Sequence, residues 1–181
     1  VLAAGELERW RRNYPGELFS LGLWVGGANT PNWHSTPGVR DVWELAAKPV
    51  SEEPNVLEQA PYANVREQWL KLEQCPFCRS ERHAMALRRA PAAHGGVLGH
   101  YCSNPECEWN RQHTTPTPLP FYIVDEDIYG KSPTVLLGTV DKLAVIGQSF
   151  RTIRAVFGMF GFAPFRNPAT GMLVNAVSRD D

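Results

Sequence analysis

The sequence predicts an α/β fold interrupted by a small cysteine-bearing ribbon, and three observations carry that reading. Short apolar runs of strand length, LFSLGLWV, FYIV and TVLLGT, stand apart from longer stretches with an apolar period of three to four residues. Glycine and proline clusters punctuate both kinds of segment. Between the first run and the second lie four cysteines in two close pairs, CPFC and CSNPEC. The chain has 181 residues, 43% apolar and 20% charged, which suits one domain, or one domain with an insertion. Its net charge of −1 gives no global attraction to nucleic acid or a lipid surface, so such contact needs a local patch. No apolar run reaches the roughly 18 residues of a membrane helix, and VLAAGELERWRRN has no signal-peptide layout. The chain is therefore expected to be cytoplasmic, without a membrane partner. Its start reads like the middle of an amphipathic helix and AVSRDD follows no closing element, so a fragment of a longer chain is expected.

In chain order, Leu7, Trp10 and Tyr14 recur at helical steps, predicting a helix over 1–14 that Pro15-Gly16 stops. Leu18 to Val25 predicts a buried strand ending at Gly26-Gly27, followed by the turn-rich ANTPNWHSTPGVR. VWELAA predicts a short helix, KPVSEEPNVLEQAP a surface loop, and Tyr62 to Gln74 a second helix. RHAMALRRA and VLGHYC predict the two strands of a hairpin around PAAHGG, and TTPTPLP a stiff connector. FYIV and TVLLGT predict strands with an acidic turn between them. VDKLAVIG predicts a helix that RTIRAVFGMFG extends; the Pro/Gly/Asn-rich tail from Ala163 carries no defined pattern. Trp10, Trp24, Trp43 and Trp69 have core spacing. Trp33 and Trp109 sit in turns, where they either stack bases or pack against a neighbouring domain.

The cysteine pairs carry the clearest chemistry. Two residues separate Cys75 from Cys78, and four separate Cys102 from Cys107, both within the range of metal-ligand pairs. Pro76 and Asn104-Pro105 place each pair in a tight turn that aims two thiolates at one point. A hairpin between two such turns is a zinc-ribbon layout, the metal standing in for a core too small to hold alone. Four protein ligands leave no open position, so the expected zinc is structural. Two disulfides or free structural thiols are the alternative, and His94 or His100 is close enough in sequence to replace one ligand. Arg79, Arg82, Arg88 and Arg89, with Phe77 and His83 nearby, either pair phosphates and stack bases or form a solvated face.

Two nucleotide-site signals fail on inspection. DEDIYGKS ends like a phosphate loop, but Asp125 stands at its first glycine, Glu126 and Asp127 add charge that repels a triphosphate, and Pro133 with TVLL follows instead of a helix. FYIV-Asp125-Glu126 has the form of a magnesium-binding strand end. Without a phosphate loop that site is incomplete, and an acidic turn is the preferred reading.

A family resemblance enters at VLLGTVDKLAVIG. Strand, then Thr139-Val140-Asp141-Lys142-Leu143, then helix, is similar to the motif Ib segment of superfamily 2 helicases, where a T-P-x-x-L turn holds a phosphate of the bound strand. Val140 stands where many members have proline. LWVGGANTPN resembles the glycine-pair strand end that precedes motif Ib. Together, GLWVGGANTPN, the pairs CPFC and CSNPEC, and VDEDIYGKSPTVLLGTVDKLA resemble the large helicase of the bacterial DISARM anti-phage system and its relatives. The resemblance covers most of the chain, the tail least. It implies a partial RecA-like (P-loop NTPase-type) motor domain: residues 1–47 its first part, 48–120 an insertion with a ribbon core at 75–107, and 121–181 its second part. In that family the phosphate loop and the D-E-x-H motif lie outside the corresponding stretch. ATP and Mg2+ are thus implied for the parent protein only, and no catalytic residue for this chain. The implied partners are DNA, single-stranded or duplex with a single-stranded end, and other subunits of a defence complex. Thr139, with Lys142 as a nearby charge, is the implied strand contact, unless its hydroxyl merely caps the following helix. Gly26 and Gly27 allow close backbone approach or make a plain turn, and Asn29 and Asn32 either touch the same strand or shape that turn. The reading without a motor is a stand-alone zinc-ribbon adaptor that binds nucleic acid or protein.

Overall fold

The computed structural model describes residues 19–36, 67–148, 150–162 and 165–174. The helices expected over 1–14 and 42–47, the loop between 48 and 61, and Trp10 and Trp43 lie outside the described residues. Of the helix expected over 62–74, residues 67–69 are helical, whereas 70–74 run as irregular backbone into a bridge between Gln74 and Glu81; 62–66 lie outside the described residues. The strands are β1 (Leu21–Trp24), β2 (Met85–Arg89), β3 (Leu98–Cys102), β4 (Phe121–Tyr122), β5 (Val135–Gly138), β6 (Phe165–Arg166) and β7 (Leu173–Val174). The helices are α1 (Glu108–Arg111), α2 (Asp125–Lys131), α3 (Val140–Val145) and α4 (Phe150–Phe157).

A parallel three-stranded sheet, ordered β4-β1-β5, forms the centre of a mixed α/β arrangement. Leu21 sits opposite both Phe121 and Val135. Alternation along β1 sends its side chains to two faces, with edge strand β5 leaving Val135 and Leu137 exposed. Leu21 and Leu23 pack against a core shared with the ribbon, whereas Trp24 packs with Ile128, Tyr129 and Val156 of α2 and α4. Gly22 lies under α2 so closely that an added Cβ would come within 2.7 Å of Pro133 and 3.3 Å of Ile128.

The ribbon is the antiparallel pair β2–β3, with Met85 opposite Cys102 and Leu87 opposite His100. Its turn closes through Gly95 and Gly96, both left-handed at φ 84° and 66°, a conformation glycine adopts without steric cost. The ribbon does not pack alone. Leu87 and Leu98 share one cluster with Phe121, Ile123 and Val124, which lead from the sheet into α2.

The acidic turn expected between FYIV and TVLLGT is instead α2. Asp125, Glu126 and Asp127 fill its first turn, Lys131 its last, and left-handed Ser132 ends it. Carboxylates at the N-terminus and a lysine at the C-terminus complement the helix dipole. The tail from Ala163 also gains structure: β6 and β7 form a hairpin against α2. Gly130 permits this approach, because a Cβ there would lie 2.1 Å from Met172 Cε. No helix among the described residues is long and apolar enough to cross a membrane.

Candidate metal centre and candidate nucleic-acid interface

Each cysteine pair is held by its own turn. The Cys75 amide donates to Ser80 O at 2.8 Å, and the Arg79 amide returns a bond to Cys75 O at 2.9 Å. Arg79 closes this turn at φ 62°. In the second turn the Cys107 amide donates to Asn104 O, and Asn110 Nδ2 bridges the carbonyls of Cys102 and Asn104, each at 2.8 Å. α1 starts directly after Cys107. The four Sγ atoms lie within 4.8 Å of one another. Cys75 Sγ is 3.7 Å from Cys107 Sγ, and Cys78 Sγ is 3.6 Å from Cys102 Sγ. A tetrahedron with metal–sulfur bonds of about 2.3 Å has edges of about 3.8 Å, whereas a disulfide needs about 2.05 Å. The geometry therefore fits four ligands around one metal ion and not two disulfides.

Burial pushes the Cys75 thiol up to about 11 and raises Cys102 further. Burial also opposes ionisation of Cys78, but hydrogen bonds from Ser80 and the neighbouring thiols outweigh it and bring that group down to about 6. Such a cluster holds its full negative charge only around a cation. His100 is not a fifth candidate. Its ring is buried against Phe121, accepts the Lys71 amide on Nε2 at 3.2 Å, and is held neutral by burial with a pKa of about 3. His94 lies in the hairpin turn, outside the thiol cluster.

The four arginines do not form one surface. Arg88 and Arg89 are adjacent on β2 and so point to opposite faces. Arg88 lies 5.9 Å from the Tyr101 ring centre, and Arg89 is exposed. Arg82 bonds the carboxylate of Glu73 and reaches Glu67 at 3.3 Å. Arg79 is exposed at the first cysteine turn. Trp109 is 2% exposed, stacked on Phe77 at 4.8 Å and donating to Thr117 O, so it is core rather than a base platform. Trp24 and Trp69 are buried as their spacing predicts, and Trp33 is half-buried.

The strand end before the glycine pair and Thr139 lie together, though more than a hundred residues apart. The Thr139 amide donates to Trp24 O at 3.2 Å, at the C-terminal ends of β1 and β5. Thr139 is the N-cap of α3, but its side chain makes no capping bond and is exposed. Gly26 O accepts the amides of Asn29 and Thr30, which makes a turn, and an added Cβ at Gly26 would meet nothing within 4 Å.

Lys142 takes a different part from the one its position suggests. It is 6% exposed, with Nζ 2.5 Å from Asp125 Oδ2 and 2.7 Å from Asn32 Oδ1. It thus ties α3 to α2 and to the loop after β1. Burial raises the pKa of Asp125, and Lys142 opposes that rise. Two residues on, fully buried Asp127 bonds His34 Nε2 at 2.7 Å and accepts the Leu98 amide at 2.9 Å. It thereby joins the ribbon, α2 and the loop. His34 also donates its amide to Glu126 Oε2 at 3.3 Å. Burial lowers the His34 pKa, but Asp127 and then Glu126 outweigh it and leave the value raised. Sequence reasoning missed this network. Its signal was three acids directly after an apolar strand with a lysine six residues after the first, the charge pattern of a short helix.

Fold and site together define a mixed α/β unit with a parallel sheet and a four-thiol centre. No protein-family model matches the chain. It is similar to the DISARM protein DrmA of Bacillus paralicheniformis, at 30% identity over 162 residues. The match covers 87% of this chain and 13% of that protein's length, so the chain corresponds to a small part of the curated relative.

Proposed function

We propose that this chain is a zinc-stapled segment of an anti-phage defence protein of the DISARM type. In this reading it is the middle of a RecA-like helicase or translocase domain, holding a nucleic-acid strand while ATP and Mg2+ bind elsewhere in the parent. The observation that carries the strand contact is the placement of Thr139. Its exposed hydroxyl makes no capping bond, and its amide bonds Trp24 O, two residues before Gly26, at the C-terminal edge of a parallel sheet, where open α/β folds bind ligands. Backbone amides at the start of α3 suit a phosphate beside that hydroxyl. Structural zinc fits the closed set of four thiols. Lys142 acts in this reading through Asn32 and Asp125, by holding the loop and not by touching DNA.

The test uses the full-length parent protein carrying Thr139→Ala. DNA-stimulated ATPase is expected to fall more than basal ATPase. Equal loss of both marks a fold defect and removes the strand role. DNA binding with no ATPase in the unaltered full-length protein leaves the zinc-ribbon adaptor in its place.

A further inference from the structure

The four thiols of the metal centre are not equally placed. Cys75, Cys102 and Cys107 are buried in the core shared by the ribbon and the sheet, whereas Cys78 is half-buried and packs against the outside of that core. Its turn opens outward, for Pro76 and Arg79 to either side of it are exposed. Solvent therefore meets the cluster at Cys78.

Cys78 also has a thiol partner from the other turn. Cys102 Sγ, at the end of β3, lies 3.6 Å away; a disulfide of about 2.05 Å asks the two sulfurs to close by about 1.5 Å. Two polar groups fix Cys78 Sγ meanwhile: Ser80 Oγ at 3.1 Å and Asn104 Nδ2 at 3.7 Å. Asn104 Nδ2 also donates to Ser80 Oγ at 3.0 Å, which orients that hydroxyl. Hydrogen bonds to a thiolate draw on the lone pairs it attacks with, so they restrain its reaction while leaving it open to solvent.

We propose that Cys78 is an oxidative modification site, and that a peroxide acting there joins it to Cys102 and opens the staple. Cys78 Sγ attacks one peroxide oxygen: an S–O bond forms, the O–O bond breaks, and the departing hydroxide takes a proton and leaves as water. Cys102 Sγ then attacks Cys78 Sγ; the S–S bond forms, the S–O bond breaks, and hydroxide again leaves as water. The two thiolates together lose two electrons and the peroxide gains them. Only Cys75 and Cys107 then remain as ligands, too few for the closed four-coordinate site of a structural metal. Trp109, stacked on Phe77 of the first cysteine turn, reports the change. The inference rests on the four-thiol centre and the structural zinc proposed for it, and not on the Thr139 contact.

The experiment uses the full chain, its zinc content fixed beforehand by elemental analysis. Hydrogen peroxide is added in limiting amounts, sulfenic acid is trapped with dimedone, and each cysteine is mapped by peptide mass spectrometry while a chromogenic chelator follows free zinc. Dimedone is expected on Cys78 first; without it, a Cys78–Cys102 link forms, zinc leaves in step, and dithiothreitol with added zinc reverses both. Cys78→His keeps four ligands of the types zinc accepts, and is expected to slow peroxide-driven release about tenfold or more, since the open thiolate is gone. Ser80→Ala leaves every ligand in place and is expected to speed release about fivefold, the effect of one hydrogen bond. Should Cys78→His hold no zinc, Ser80→Ala and the order of modification decide. First modification at Cys75, Cys102 or Cys107, a link other than Cys78–Cys102, or release at the unaltered rate in the zinc-loaded variants overturns the proposal. A chain that carries no zinc refutes the structural metal instead, and the order of cysteine oxidation still tests the modification site.

Discussion

Replacing Lys142 by methionine separates structural from ligand-binding roles at the sheet edge. The substitution keeps length and apolar stem but removes a cation that is 6% exposed and bonded to Asp125 and Asn32. Asp125 is then left buried without its counter-charge, in a place where burial already raises its pKa. Breaking a buried pair from one side costs about 3–5 kcal/mol. For a chain of this size that is a Tm drop of roughly 6–20 °C. Asp125→Asn removes the orphaned charge, so the double variant is expected to regain at least half of the loss. Thermal unfolding of the two single variants and the double, followed by circular dichroism, gives the coupling directly. A Lys142→Met chain melting within about 1 °C of its parent would refute the argument, since effects of that size belong to exposed pairs. So would a double variant whose loss is the sum of the singles.

Three other outcomes follow from the same structure. Elemental analysis should find one zinc per chain, and stripping it with a chelator should lower the Tm and change the near-ultraviolet signal of Trp109, which packs in the thiol cluster's core; retention of both signals after stripping contradicts a structural metal. Gly130→Ala should cost about 1–3 kcal/mol by forcing Met172 aside, and adding Met172→Ala should relieve that clash; a Gly130→Ala chain as stable as its parent removes the close approach of the hairpin. The raised pKa of His34 means that its pairing with Asp127 stabilises fully below about 6.5 and is lost as pH rises through the raised value. The Tm gap between the parent and His34→Gln should therefore narrow from mildly acidic to alkaline pH, and a gap that widens contradicts the pairing.

Local pattern made the cysteine turns, the β2–β3 hairpin and three sheet strands legible, because spacing and short apolar runs determine them. The hairpin strands were read within a few residues of their ends, and FYIV as strand is half correct: Ile123 and Val124 leave the sheet for the core. What failed was charge in the interior. Asp125 and Asp127 read as an acidic turn and Lys142 as a charge beside a bound strand, because charged residues are rarely buried unless paired. Their partners, Asn32 and His34, lie some ninety or more residues away in sequence. Helix α2 was lost for a related reason. Comparing DEDIYGKS with a phosphate loop drew notice to what it lacked, and away from acids in a first turn and a lysine in a last. The pairing of β1 with β5, which brings the Thr139 amide to Trp24 O, leaves no trace in spacing alone.

The register of the central sheet also bears on how the chain is made. Leu21 pairs with Phe121 and Val135, so β1 leaves the ribosome about a hundred residues before either neighbour. At roughly 5–20 residues per second, that is a delay on the order of five to twenty seconds. Through that interval Leu21, Leu23 and Trp24 wait for both of these neighbours. Only residues 90–97 separate β2 from β3, so the hairpin closes well before the sheet. Zinc captured at that stage leaves a finished apolar surface waiting for β4, and β1 is joined to its two neighbours only after the ribbon has closed.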